Sequence, residues 1–190
     1  MTLDVLEKYS VCIKREGNSF YIKGGQKYIS ATWEIEKDYS SYALFAVLNK
    51  LGNSIECPGL IENSVQGDSM IDKYLESDED TFDMKDNIDL CPVLAVYLAS
   101  KNGDVRLTGV KNLVHKESNR EEETVKLLDA FSVRSEYTEE NGGTLIIHGT
   151  GLKPLKYYSS DDHRMVMAAI VGALTVGGEI GGAECVSKSY

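Results

Sequence analysis

Asp89-Leu90-Cys91-Pro92-Val93-Leu94-Ala95-Val96-Tyr97-Leu98-Ala99-Ser100 decides the fold. No charged side chain interrupts residues 90–100, and no polar stripe runs along them at helical spacing. A helix with no polar face offers water no side and is buried. Pro92 falls in the first turn, where a missing N–H is harmless. Asn102-Gly103 supplies the stop. Two further stretches, 42–51 and 165–176, are also apolar nearly all round. The strands between them are more amphipathic. The expected class is therefore α/β with helices inside and sheets outside. In a doubly wound sheet the strands, not the helices, are the continuous apolar runs.

Outward from that helix, a strand is expected at 82–84 and another at 105–108. A charged helix at 119–131 leads into strands at 133–137 and 144–148, joined by the turn Glu139-Glu140-Asn141-Gly142-Gly143. Asp161-Asp162 precedes the helix 163–176, Gly177-Gly178 closes it, and a strand is expected at 179–185. Toward the N-terminus, Asp38-Tyr39-Ser40-Ser41 reads as a helix start, because Asp and Ser oxygens accept from first-turn N–H groups. Strands at 33–36 and 54–57 flank that helix, a more polar helix covers 69–76, and 76–80 is an acidic loop. The chain opens with a helix at 2–9 that buries Leu3, Val5 and Leu6, followed by strands at 11–15 and 20–23.

Two echoes organise these elements. Thr2, Leu6, Tyr9, Ser10 and Val11 recur as Thr124, Leu128, Phe131, Ser132 and Val133, at a constant offset of 122 (124 − 2). An acid, an apolar helix and a glycine recur as Asp38 to Gly52, Asp89 to Gly103, and Asp162 to Gly177. A strand–helix–strand–helix–strand–strand unit repeats along the chain. A lone helix and hairpin cannot bury both faces, so residues 1–32 are expected to be the tail of a preceding unit.

The bulk numbers narrow the function. The chain has 190 residues, 42% of them hydrophobic, which suits a globular domain. A net charge of −10 argues against sequence-independent nucleic-acid binding and against acidic membranes. Cys12, Cys57, Cys91 and Cys185 lack CxxC spacing and sit in or beside apolar runs, so buried free thiols in a reducing cytoplasm are expected. His115, His148 and His163 also lack ligand spacing, which argues against zinc. There is no run of about 18 uncharged apolar residues and no basic region before an apolar run.

Chemistry concentrates at helix starts, whose free N–H groups and partial positive charge favour anions. Asp89 begins one helix, Lys116-Glu117-Ser118-Asn119-Arg120 turns into another, Arg164 begins a third, and Lys188 follows the last strand. If the repeats put these ends together, cations and two carboxylates share a site suited to phosphate- and carboxylate-bearing substrates. Spacing alone leaves other readings open. Asp89 and Asp162 serve equally as N-caps, Glu117 and Arg120 as an i, i+3 surface pair, and Lys188 as a solvated cation.

At these residues the sequence resembles the enolpyruvyl transferases, and among them the enolpyruvylshikimate-phosphate synthase family. Four segments carry the resemblance in order: Asp83-Met84-Lys85 through Asp89, Asn112 with Lys116–Arg120, Asp162-His163-Arg164-Met165, and Glu184-Cys185-Val186-Ser187-Lys188-Ser189-Tyr190. Gly24-Gly25-Gln26, Asp38-Tyr39-Ser40-Ser41 and Gln66-Gly67-Asp68 also fit. The resemblance implies two domains of βαβαββ units arranged as an inside-out α/β barrel. Residues 1–32 would end the first domain, and 33–190 would form most of the second without its last helix. It implies transfer of the enolpyruvyl group of phosphoenolpyruvate to the 5-hydroxyl of shikimate 3-phosphate with release of phosphate, in aromatic amino-acid biosynthesis. No metal or organic cofactor is implied, and the protein is expected to be a cytoplasmic monomer. Carried over by motif, Asp89 is the base and Glu117 serves proton transfer at the methylene. Asn112 and Lys116 hold shikimate 3-phosphate, while Arg120, Arg164 and Lys188 hold phosphoenolpyruvate. The chain alone would be inactive for want of the first domain. UDP-N-acetylglucosamine enolpyruvyl transferase and a non-catalytic α/β interaction module are the alternatives. Asn119 stands where the family has Asp, Glu121 where it has an apolar residue, and Val114-His115 where it has Arg-Val.

Overall fold

The computed structural model describes residues 1–189. Its centre is three helices packed on one another: α2 (Tyr39–Lys50), α4 (Cys91–Ala99) and α6 (His163–Val176). Every residue of α4 is buried, and Leu94, Ala95 and Val96 have no exposed surface. The all-round apolar reading of residues 90–100 is thus met by a helix with neighbours on every side.

The best-formed unit runs from β3 (Thr81–Asp83) through α4, β4 (Asn102–Thr108), α5 (Arg120–Ala130), β5 (Arg134–Thr138) and β6 (Thr144–Thr150). Its sheet has the order β3-β4-β6-β5. The β3–β4 pair is parallel and spans three residue pairs, whereas β4 and β6 are antiparallel over seven. One face of the sheet meets the helices. Leu107, Leu145 and Ile147 are fully buried there, while Asp104, Arg106 and Arg134 face outward. This is a βαβαββ unit with its helices on the inside. β7 (Leu155–Ser159) and β8 (Gly178–Gly181) flank α6 as a parallel pair.

The 122-residue echo is visible in the backbone. The first helix, α1 (Thr2–Lys8), is followed by the antiparallel hairpin β1 (Ile13–Glu16) and β2 (Ser19–Ile22), as α5 is followed by β5 and β6. Both helices stop at a serine in the left-handed region, Ser10 and Ser132, each at φ 62°. Val11 N–H returns to Leu6 O at 2.9 Å, and Val133 N–H to Leu128 O at the same distance. A non-glycine residue is uncommon in this region, so its recurrence at equivalent positions marks one motif used twice.

Several expectations need correction. Residues 33–36 and 54–57 form no strand, although both lie among the described residues. The strand expected at 179–185 is confined to β8, and a 3-10 turn, Ala183–Lys188, follows it because Gly182 takes φ 72° and turns the chain out of the sheet. β7 was not anticipated, since Pro154 and two adjacent tyrosines blur its alternation. Leu3 and Val5 are each 38% exposed, and α1 buries no residue, because it and its hairpin have no sheet to lie against. Only Cys91 is a buried thiol, and burial pushes its pKa up to about 12. Cys12 is exposed on the open hairpin region, and Cys57, in an irregular segment, and Cys185, in the 3-10 turn Ala183–Lys188, are half-buried. No helix among the described residues is long and apolar enough to cross a membrane.

The core has no slack beside Gly172 of α6. A Cβ there would lie well inside van der Waals distance of the Phe131 ring, which is itself fully buried. Replacing Gly by Ala gains about 1 kcal/mol of helix propensity. Overpacking against an immobile ring costs about 1–3 kcal/mol, so the clash wins. Gly172→Ala is expected to lower the urea midpoint, with a net loss of about 1 kcal/mol; a higher midpoint would show that the ring yields.

Candidate active site

The site is assembled by one buried guanidinium. Arg120, the first residue of α5, is 2% exposed. Its Nε and Nη2 donate to Asp162 Oδ2 and Oδ1 at 2.7 and 3.1 Å, and its Nη1 donates to Asp89 Oδ1 at 2.7 Å. The i, i+3 partner Glu117 is not in that set. The side chain turns inward instead, toward the ends of two other helices.

Local sequence explains how each residue arrives. After β4, the 3-10 turn Lys111–His115 is anchored by the buried side chain of Leu113. Asn119 then caps α5, its side chain accepting from Glu122 N–H at 3.4 Å, so the amide does the capping expected of it. Asp162 caps α6 by accepting from Arg164 N–H at 3.0 Å, and also accepts from Ser118 Oγ at 2.9 Å. Asp89 does not cap α4. It lies in the 3-10 turn Ile88–Leu90, and the N-cap position of α4 is Leu90. Its carboxylate is turned away from the helix and receives Lys116 Nζ at 3.1 Å as well as Arg120.

These contacts set the charge state. Burial pushes the Asp89 carboxyl up, but the hydrogen bond from Lys116 and the charges of Arg164, Lys116 and Arg120 outweigh it and hold the group below the ordinary carboxylate value. Asp162 follows the same pattern: burial raises it, and the Arg120 hydrogen bonds and charge, with Ser118 and the Arg164 amide, bring it below the ordinary value. Both are ionised at neutral pH.

Arg164 differs. It has no carboxylate oxygen within 4.0 Å among the described residues, although its charge acts on Asp38, Asp68 and Asp89. It lines a cavity of about 260 Å³ with Asp38, Ser40, Ser41, His163 and Met167. Asp38 caps α2 through the Ser40 and Ser41 amides, at 3.1 and 3.0 Å. Ser40 Oγ donates to Asp68, whose carboxyl is pushed above the ordinary value by burial and by neighbouring Asp89 and Asp38.

Glu117 is exposed, with Oε2 2.8 Å from His163 Nδ1 and 4.0 Å from Lys188 Nζ. Asn112 is exposed on its 3-10 turn. Burial and the neighbouring Glu139 and Glu122 push the Glu121 carboxyl above its ordinary value. The structure thus brings Asp89, Lys116, Arg120 and Arg164 together, with Glu117 and Lys188 beside His163. Tyr190 lies outside the described residues. Glu117, Asp162 and His163 place ligand atoms within 4.8 Å of one another, but both Asp162 oxygens are held by Arg120, which would repel a cation there.

Sequence reasoning passed over His163, Ser118, Ser40 and Asp68 as site residues. All four lie in or beside motifs already singled out, but a contact 46 residues away, as between His163 and Glu117, leaves no local spacing to read.

Comparison with known proteins gives consistent results. The model of the family described as EPSP synthase (3-phosphoshikimate 1-carboxyvinyltransferase) matches residues 1–80 and 76–190. A 3-phosphoshikimate 1-carboxyvinyltransferase of Clostridium kluyveri is 34% identical over 215 aligned positions, covering 100% of this chain and 49% of the relative. The Clostridium acetobutylicum protein of the same name is 32% identical over 210 positions, with the same coverage. The chain spans about half the length of the curated relatives it matches. An EPSP synthase structure from Acinetobacter baumannii superposes with a TM-score of 0.81 at 24% identity, over 100% of this chain and 51% of that one. The enolpyruvyl transferase NikO from Streptomyces tendae superposes at 0.60 and 13% identity, over 99% and 49%. These likenesses place the fold among the enolpyruvyl transferases.

The pairing of Arg120 makes two predictions of stability. Arg120→Ala leaves Asp162 buried without its counter-charge and should cost about 3–5 kcal/mol in urea denaturation. Because Asp89 and Asp162 titrate below their unfolded value, their contribution is complete above about pH 4 and is lost as pH falls through the lower folded values. Asp162→Asn should therefore be less stable at pH 7 and lose less stability than the unmodified chain on acidification from pH 5 to 2. An equal acid loss in both proteins would contradict the assignment.

Proposed function

We propose a function from an established premise: this chain belongs to the EPSP synthase (3-phosphoshikimate 1-carboxyvinyltransferase) family. Its role is to supply the carboxylate-and-cation half of a site that transfers the enolpyruvyl group of phosphoenolpyruvate to the 5-hydroxyl of shikimate 3-phosphate. The observation that carries this reading is an ionised Asp89, held by Lys116 and Arg120, beside an Arg164 that has no ion-pair partner among the described residues.

Asp89 takes the proton of the attacking hydroxyl, and the oxygen forms a bond to C2 of phosphoenolpyruvate while C3 is protonated. Loss of that proton from the methyl group with departure of phosphate then yields the enolpyruvyl ether. A base must be ionised to act, and the neighbouring cations keep Asp89 so. Arg120 spends three of its five N–H donors on Asp89 and Asp162, which leaves two for a substrate carboxylate. Arg164 and Lys188 complete the anion clamp. Lys116 and Asn112 face the shikimate phosphate. Glu117, with His163 at its carboxylate, handles the methylene proton.

The remainder of the cleft comes from sequence outside the half of the relatives that this chain matches, so the chain alone is expected to release no phosphate. Residues 1–32 belong to the first domain and 33–190 to the second, in a cytoplasmic monomer of the shikimate pathway. The test joins this chain to the parts of the Clostridium kluyveri relative that lie before and after the region it matches, and follows phosphate release from the two substrates. Asp89→Ala in that protein should lower kcat by about 10²–10⁴-fold. A folded joined protein without activity, or an unchanged kcat in the variant, overturns the reading.

A further inference from the structure

The two repeats present in full sequence order are not equal. In the second, 24 residues (131–154) separate the end of α5 at Ala130 from the start of β7 at Leu155, and they hold the β5–β6 hairpin. In the first, the second helix α3 (Ile71–Glu76) is followed by β3 after only four residues (77–80). The shortfall is 20 residues (24 − 4).

The relatives independently show a shortfall of similar size. The Clostridium kluyveri alignment has 215 positions for 190 residues here, so 25 positions (215 − 190) have no counterpart; the Clostridium acetobutylicum alignment leaves 20 (210 − 190). The family model matches in two pieces, and these meet at residues 76–80, the α3–β3 junction.

We propose that the first repeat has lost the β-hairpin that closes the second, and that residues 33–36 and 54–57 are its two parallel strands left without a ladder. The second repeat shows why they cannot stand alone. There β4 is held to β3 by three residue pairs and to the hairpin strand β6 by seven. Removing a hairpin removes most of the ladder, and a bare parallel pair is marginal. The surface agrees: Ile35, Ile61 and Val65 are 78%, 48% and 54% exposed where a sheet layer would cover them. In place of a ladder, Gln66 pins the chain just after the first segment, accepting from Tyr39 N–H at 2.9 Å and donating to Lys37 O at 2.8 Å. Asp38, on the wall of the Arg164 cavity, lies two residues beyond the end of the 33–36 segment.

Hydrogen exchange on the intact chain tests this without reference to activity. Amides of residues 33–36 and 54–57, apart from Ile55, whose N–H donates to Asn49 Oδ1 at 2.8 Å, should exchange as in an unstructured chain, while those of β4 and β6 are protected. Inserting, between Glu76 and Thr81, the segment of the Clostridium kluyveri relative that joins its counterparts of α3 and β3 should protect both segments at least about 100-fold, and a glycine–serine insert of equal length should not. The reciprocal deletion from the relative should strip protection from its matching segments, and decides the matter if the insertion variant does not fold. Protected segments in the intact chain, no gain in a folded insertion variant, or no loss in the reciprocal deletion would overturn the proposal.

Discussion

The arrangement depends on a single buried cation between two carboxylates. Arg120 begins α5, Asp162 begins α6, and Asp89 precedes α4, so one guanidinium ties three helix starts together. Taking these charges out of water is costly, and such a cluster persists only when geometry and further hydrogen bonds compensate. Here the compensation is visible. Arg120 meets Asp162 through two parallel N–H bonds, Ser118 and the Arg164 amide take further Asp162 lone pairs, and Lys116 balances the charge on Asp89. Lys116 and Arg120 both meet Asp89 through Oδ1, at the edge of the cluster, while Asp162 is wholly internal. The two carboxylates share a cation but differ in setting: the Asp162 side chain has no exposed surface, whereas that of Asp89 is 34% exposed.

That division follows from the core. Helices inside a sheet layer bring their N-terminal ends to one side, and ends carry the unsatisfied N–H groups that attract anions. Side chains from α2, α5 and α6 then surround the same small volume although they are distant in sequence. In an acidic chain of net charge −10 the cations there are local and partly desolvated, where their field is screened least.

Much of this was legible in the sequence. The apolar helices at 42–51, 90–100 and 165–176, and the inside-out layering they imply, follow from the lack of a polar face. The caps at Asp38, Asn119 and Asp162 follow from side-chain chemistry. Asp89 shows the limit: by spacing it is as good a cap as the others, but a basic loop 27 residues away, at Lys116, draws its carboxylate off the helix. Arg120 likewise reads as half of a surface pair until the fold buries it. His163 was invisible because its partner Glu117 lies on another element.

The strands expected at 33–36 and 54–57 fail for a different reason. Their residue pattern is adequate, and what they lack is a neighbour. Strand propensity expresses fit to a pleated, half-covered surface, so a segment can carry the right residues and remain irregular when the rest of the sheet is absent. The helix between them is not affected in the same way. α2 makes its hydrogen bonds within itself and buries Ala43, Ala46 and Val47 against α4 and α6, so it needs no sheet to form. A helix-centred core can therefore tolerate damage to one sheet segment while the helix starts that carry the charged groups stay in place. Asp38 still caps α2 and Arg164 still opens α6 across the same cavity, each fixed by its own helix rather than by the strand before it.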